Sequence, residues 1–438
     1  MPSLLRDRLA TAWVAPTPLT SPRSHPLSHT DRLLRPALWP LALLSMIHLV
    51  CFPAATGTET DDFTTVYRAL SRFLDGEVVY SENYAHVDPH YLYNPGATLL
   101  LSPLGLPGDP ACARMVFILA NALAIAAALG MLTRLVGFSL RGWLFPASIL
   151  AASATEAMRS TLIFANINGL LLLALVGFLA LLLDHRPGWA GVVLGLAIVI
   201  KPFFAPLLLL PLVKAQWPAI FSAASVVAVL NAAAWPLMRE PGRYLTVVAP
   251  YLGQVRDYAN ASLSGQAVYF AMPSALQTIA SLVLAGCVFL SVFVLLRWRY
   301  TDPLLWAITT STALLSGVFL LSSLGQKYYS LLLIPLFFTV AQSRSVAHHW
   351  LTWVAAYLIF TPQVFASSGW HREYVFTTAT VTVGWSLLLI AIAGTVVGWW
   401  RHPTHEQHPD APAPGIIPAP GELHREGSLP PQQRRPQP

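Results

Sequence analysis

Asp61 and Asp62 stand side by side in Glu59-Thr60-Asp61-Asp62-Phe63, just after the first apolar stretch of the chain. Adjacent carboxylates repel, which raises the pKa of one of them. A carboxylate so raised suits a general base that takes a proton from a hydroxyl. The same polar stretch carries Arg68, Asp75, Glu77, Glu82, Asp88, His90 and Tyr93 ahead of Asn94-Pro95-Gly96. Far downstream, Lys201 follows the apolar run 192–200 and precedes Pro202. A lysine at membrane depth is costly and is a functional-site candidate by default. The competing role is a lysine that snorkels from a helix end. At depth, Lys201 would hold an anionic head group such as the phosphate of a lipid carrier. A base and a cation so placed suit sugar transfer from a polyprenyl phosphate to an acceptor hydroxyl. The cation stabilises the charge that the phosphate leaving group gains, and no metal or other cofactor is required.

Other polar residues at the ends of apolar stretches have two readings each. Glu156 and Arg159 have the i, i+3 spacing of a helical ion pair, and Arg159 is also a candidate phosphate ligand. Asn166 and Asn168 either hydrogen-bond between helices or contact a sugar. In Gln326-Lys327-Tyr328-Tyr329, the tyrosines are interface anchors or substrate contacts, with Gln326 beside them. Lys327 is a further phosphate candidate. Cys51, Cys112 and Cys287 have no metal-ligand spacing and read as small apolar residues.

The elements that must position these groups are membrane helices. Of the 438 residues, 55% are hydrophobic and 11% charged, against about 25% charged in ordinary soluble domains. A span needs about 20 apolar residues. The sequence predicts an all-α, polytopic integral membrane protein with about twelve transmembrane helices. They fall near 36–53, 110–133, 142–157, 161–183, 188–201, 203–213, 217–238, 273–296, 303–324, 329–342, 350–366 and 376–400. Arginines before the first span place the N-terminus in the cytoplasm, so the loop 59–108 is external. Within it, 62–75 has the period of an amphipathic helix at the membrane interface, and 96–106 is apolar but too short to span. Residues 1–35 read as a basic disordered cytoplasmic arm, 36–400 as the catalytic membrane domain and 401–438 as a proline-rich disordered cytoplasmic tail. The net charge of +6 orients the loops across the bilayer rather than marking a nucleic-acid surface.

Several ordered motifs together resemble the GT-C superfamily of membrane glycosyltransferases, within glycosyltransferase family 87, and more narrowly its arabinofuranosyltransferase members. They are Thr60-Asp61-Asp62-Phe63 with Val66-Tyr67-Arg68-Ala69, then 87–93 with Pro95-Gly96, then Asn166-Ile167-Asn168-Gly169. Lys201-Pro202 with 206–211, Gln326 with Tyr328-Tyr329-Ser330, and 384–390 complete them. The resemblance implies a GT-C bundle with a catalytic first external loop in the plasma membrane. It implies decaprenylphosphoryl-β-D-arabinofuranose as donor and a growing α-(1→5) arabinan as acceptor, branched at a 3-hydroxyl. An α bond made from a β donor is an inversion, which needs one general base and no covalent intermediate. The family's first-loop Asp precedes Phe and carries over best to Asp62, with Asp61 as rival. Its Lys-Pro carries over to Lys201-Pro202 as a phosphate contact. Ala165-Asn166 and Tyr328 depart from broader family members, which carry Gly-Gln and a His there, and so separate the chain from mannose-using relatives.

Two alternatives stand beside this expectation. One is a polyprenyl-phosphate-mannose-dependent mannosyltransferase of the same family. The other is a lipid or sugar transporter or flippase, since many spans with intramembrane charge suit that class as well. The charges collect at one membrane face and no internal repeat is visible, whereas transporters place sites near the midplane between repeats.

Overall fold

Apolar helices dominate the computed structural model, which describes residues 11–20, 29–57, 61–84, 90–362 and 374–402. Six helical stretches are long and apolar enough to cross a bilayer: His29–Ala54, Pro110–Leu135, Trp217–Leu237, Ser274–Trp298, Pro303–Leu321 and Val375–Arg401. Six further apolar helices have only 10–17 residues, too short to cross a core of about 30 Å alone. The chain is an all-α polytopic membrane protein.

The first helix, α1, runs His29–Leu49 and continues in a wide turn, Val50–Ala54. It starts ahead of the expected 36–53, with Pro36 and Pro40 inside it. Part of the expected N-terminal arm is docked. Trp13 packs on Phe293 and Trp400 at 5.3 and 5.9 Å between ring centroids, with the Arg297 guanidinium 4.7 Å from its ring. Thr20 donates its N–H and hydroxyl to Asp302 at 2.8 and 2.6 Å.

The expected amphipathic helix is α2, Asp62–Leu74, which buries Phe63, Ala69 and Leu70. The short apolar segment after it forms α3, Pro95–Leu101, and a tight turn, Ser102–Gly105. Gly96 brings α3 against a later helix: its N–H donates to Asn231 Oδ1 at 3.0 Å, and a Cβ there would stand 2.9 Å from the Asn231 nitrogen.

After α4 (Pro110–Leu135) the expected spans 142–157 and 161–183 are cut differently. The chain forms α5 (Leu144–Ser153), α6 (Glu156–Ile163) and α7 (Asn168–Leu183). Thr155 caps α6 by accepting from the Met158 N–H. The break from α6 to α7 turns on Ala165, at φ +45°, and closes through Asn166 N–H to the Thr161 carbonyl at 3.0 Å. This is the left-handed helix stop usually given to glycine.

Next come α8 (Pro187–Ile200), tight turns Pro202–Leu208, α9 (Leu209–Val213) and α10 (Trp217–Ala234). Helices α8 and α10 meet through Gly191 and Gly195, four residues apart as in small-xxx-small pairs. A Cβ on Gly191 would lie 2.1 Å from the Ala219 carbonyl oxygen. The remaining helices are α11 (Leu263–Tyr269), α12 (Ser274–Leu295), α13 (Pro303–Leu321), α14 (Ile334–Phe338), α15 (Trp350–Phe360) and α16 (Tyr374–Arg401). The expected span 329–342 is mostly tight turn, Lys327–Leu333, ahead of α14.

One large apolar core runs through the bundle. A smaller cluster, with Tyr80, Tyr91, Met238 and Val248 at its centre, joins the first loop to the segment after α10. Val78 and Arg239 pair there in an isolated bridge.

Candidate functional site

The site is assembled where helices stop. A helix end leaves N–H or C=O groups without intrahelical partners, and residues of the first loop, with Arg114 of α4, take up these groups from three other breaks. The Asp62 N–H, first of α2, donates to the Phe164 carbonyl in the α6–α7 break at 3.0 Å. Arg114 of α4 donates at 2.7 Å to the carbonyls of Ala54, at the end of α1, and Ile163, at the end of α6. Asn94 caps α3 by accepting from the Ala97 N–H at 2.9 Å. Its amide donates at 2.7 Å to Val199, at the end of α8 beside Lys201.

The two adjacent carboxylates have different surroundings. Asp61 is 1% exposed. One oxygen caps α2 by accepting from the Thr64 N–H at 2.7 Å, and the other takes the Arg114 Nε–H. Both oxygens are therefore engaged in holding the loop. The groups that act electrostatically on Asp62 are instead the Lys201 ammonium, the Tyr328 hydroxyl and Arg256. Burial pushes its carboxyl above the usual range; Lys201 and Tyr328 oppose that rise, and the nearby Asp61 adds to it. Asp62 also lines a small pocket with Phe63, Tyr93, Phe117, Asn166 and Ile167 among its walls. The Tyr93 phenol faces Asp62, and burial with that charge pushes its pKa up.

Lys201 occupies the break between α8 and the turns that follow, in extended backbone at φ −136°, ψ 101°. Its ammonium lies 4.6 Å from the Tyr329 ring centroid and 5.8 Å from those of Tyr328 and Phe203. Among the described residues no carboxylate forms a salt bridge with it. Aromatic faces steady a cation without neutralising it, so its charge stays available to an anion.

The asparagines after the break are buried with open hydrogen-bonding capacity. Asn166 is 3% exposed and Asn168 is 0% exposed. Asn166 accepts from the Asn168 N–H at 3.1 Å. Among the described residues, its Nδ2, both side-chain polar atoms of Asn168 and the Thr161 hydroxyl have no partner, and neither amide hydrogen-bonds to another helix. Buried polar groups without partners are rare and call for a reason.

Other expected site residues separate from this group. Lys327 lies 2.7 Å from Glu156 Oε1, and Arg159 lies 3.4 Å from Oε2. Burial opposes the Glu156 charge, but Lys327, Ser160 and Arg159 hold its carboxyl below the usual range. Both cations share one carboxylate and stand differently from Lys201. Gln326 is half-buried at the start of the tight turn that carries Tyr328 and Tyr329. Arg68 is exposed on α2, and six residues along a helix put it on a different face from Asp62. His90 lies in a separate aromatic group with Tyr84 and Tyr251. Asp88 falls outside the described residues. Among the described residues no three His, Cys, Asp or Glu side chains come together as a metal site requires.

Two residues at the centre escaped the sequence reading. Arg114 is surrounded in sequence by the apolar pattern of α4, and its partners are 49–60 positions away. Arg256 was one of several charges in a long loop. That loop is braced by Asn260, which donates to the Arg256 and Ser323 carbonyls at 3.0 and 2.8 Å and accepts from Ser262 and Gly325 N–H groups.

The sequence pattern of the family described as Glycosyltransferase family 87 matches residues 91–323. A Corynebacterium glutamicum protein named alpha-(1->3)-arabinofuranosyltransferase is 47% identical over 399 residues, 90% of this chain and 92% of its own. Proteins of the same name from Mycobacterium tuberculosis H37Rv and Mycolicibacterium smegmatis are 42% and 40% identical. The first covers 82% of this chain and 84% of its own length; the second covers 83% and 85%. A carboxylate and a cation set at helix breaks of a membrane bundle, together with these matches, place the chain in glycosyltransferase family 87.

Proposed function

We propose that this enzyme moves arabinofuranose from decaprenylphosphoryl-arabinofuranose onto a 3-hydroxyl of α-(1→5) arabinan, making α-(1→3) branches. The observation that carries the reading is a buried Asp62 carboxylate, raised in pKa, beside a lysine that forms no salt bridge among the described residues. Asp62 takes the proton of the acceptor 3-hydroxyl as its oxygen attacks C1 of the donor sugar. The bond from C1 to the phosphate oxygen breaks, with inversion from β to α. The phosphate leaves with one more negative charge, which Lys201 and Arg256 stabilise. Lys201 is the main phosphate ligand. Arg159 and Lys327, tied to Glu156, act as a basic rim that attracts the donor head. Asn166 and Asn168 contact the sugar hydroxyls, and the Tyr93, Tyr328 and Tyr329 side chains enclose the reacting centre. The reaction takes place on the external face of the plasma membrane, where the lipid donor enters from the bilayer.

The test is arabinose transfer in purified membranes, from decaprenylphosphoryl-arabinofuranose to a short α-(1→5) arabinan. Transfer by the wild type that is lost in Asp62→Asn, with that variant folded and inserted, is the expected result. Wild-type activity with a polyprenyl phosphate mannose and none with the arabinose donor would keep the chemistry and overturn the sugar.

A further inference from the structure

Beside the reaction centre lies an aromatic ledge that the transfer chemistry does not use. Tyr84 and His90, from the first loop, meet Tyr251, from the loop after α10. Ring centroids are 4.7 Å apart for Tyr84–His90, 5.4 Å for Tyr84–Tyr251 and 5.2 Å for His90–Tyr251. Polar groups rim the rings. Glu82 accepts from Arg72 at 2.8 Å and from the Tyr91 N–H at 2.9 Å, and it lies 3.5 Å from His90 Nδ1. On the side toward the base, the Arg256 guanidinium lies 3.5 Å from the Tyr251 hydroxyl and also acts on Asp62. One side chain therefore links the ledge to the catalytic carboxylate.

Bracing alone does not account for the ledge. The neighbouring cluster that ties the same two loops together uses Tyr80 and Tyr91, which are 0% and 1% exposed. Tyr84 and Tyr251 keep part of their surface open. Partly open rings with a carboxylate and guanidinium groups at their edge match the chemistry of a sugar chain. Its C–H faces lie on aromatic surface, and its hydroxyls bond planar polar groups. Tyrosine gives such contact area at low entropy cost, and a few placed polar groups fix orientation.

We propose that Tyr84 and Tyr251, with the His90 ring buried against both, form the acceptor track, holding the furanose units of the arabinan chain next to the unit that reacts. The proposal rests on the transfer reading above. Arabinan then reaches Asp62 along Arg256.

The test measures binding without turnover. Full-length Asp62→Asn protein in nanodiscs is titrated with α-(1→5) arabinan oligomers, with no donor present, and read by saturation-transfer NMR. Tyr251→Leu or Tyr84→Leu in this background should weaken binding about tenfold, as loss of a central aromatic anchor does. Tyr251→Phe, which keeps the ring, should restore most of it. In the otherwise native enzyme, Tyr251→Leu should raise the acceptor KM far more than it lowers kcat, and more for long acceptors than for short ones. Arabinan binding equal to the parent in both folded Leu variants would overturn the track. If Tyr251→Leu fails to fold, Tyr84→Leu decides alone. Failure of the transfer reading looks different: the native enzyme gives no arabinose product, whatever the Leu variants do to binding.

Discussion

Exchanging each carboxylate of the Asp61–Asp62 pair for its amide should separate folding from chemistry. Asn at position 61 can still cap α2, since Asn and Asp cap about equally well. It cannot compensate the Arg114 charge, which is 14% exposed and has no second carboxylate among the described residues. Removing one partner of a buried ion pair costs about 3–5 kcal/mol. Arg114 keeps two carbonyl contacts, so the loss should fall near the low end, about 3 kcal/mol. Asp62→Asn acts in the other direction on stability. A folded-state pKa raised above the unfolded value means that the ionised form is disfavoured by folding. Above about pH 4, where an unfolded Asp is ionised, Asp62 therefore destabilises the protein, and removing its charge should leave thermal stability equal or higher. Its cost appears in the rate, at about 10²–10⁴-fold for a lost general base. The assay is thermal unfolding in detergent beside saturating transfer rates at a temperature where all three proteins are folded. Asp61→Asn should unfold early yet turn over when folded, and Asp62→Asn should be stable and nearly inactive. A stable but inactive Asp61→Asn, or a folded Asp62→Asn with normal turnover, would refute the division of labour.

Transfer should fall as pH drops through the Asp62 pKa, and that limb should lie above the ordinary carboxylate value of about 4. Because Lys201 opposes the rise at Asp62, Lys201→Gln should move the limb to higher pH and lower kcat; an unmoved limb in the pH profile of kcat/KM would separate the two groups. Asn168→Leu should cost no stability, since a buried amide without partners already carries a penalty of about 1–3 kcal/mol; a donor titration should show KM raised about tenfold by the lost hydrogen bonds. Gly191→Val should destabilise the α8–α10 contact by about 3 kcal/mol or more through overpacking, visible as a lowered unfolding temperature with the turnover of the remaining folded enzyme little changed.

The sequence exposed what is local or costly. The amphipathic period over 62–75 predicted α2, the paired carboxylates marked the proposed base, and a lysine after nine apolar residues drew attention to Lys201. The helix breaks were harder to read. Ala165 takes a left-handed conformation without the glycine that normally signals it, so 161–183 read as one continuous span. Long-range pairing was invisible as well. Nothing near Lys327 or Arg159 says that both reach Glu156, and both therefore looked available to phosphate. Asp61 could not be told from Asp62 because the deciding partner, Arg114, lies 53 residues away.

These long-range contacts share one physical origin. Apolar surroundings make an unpaired backbone carbonyl expensive, and every broken helix produces several. Here the carbonyls of Ala54, Ile163, Phe164 and Val199 are each taken up by Arg114, the first loop or its cap Asn94. Each neutral bond contributes only about 0.5–1.5 kcal/mol, and those from Arg114 about 1.5–3. Together they set where α2 begins, and Asp62 is the first residue of α2. The proposed base is thus placed by helix ends rather than by side-chain packing around it. Asp62, held through its backbone, keeps its carboxylate for the Lys201 and Tyr328 side of the site, whereas Asp61 spends its side-chain bonds on the α2 cap and on Arg114.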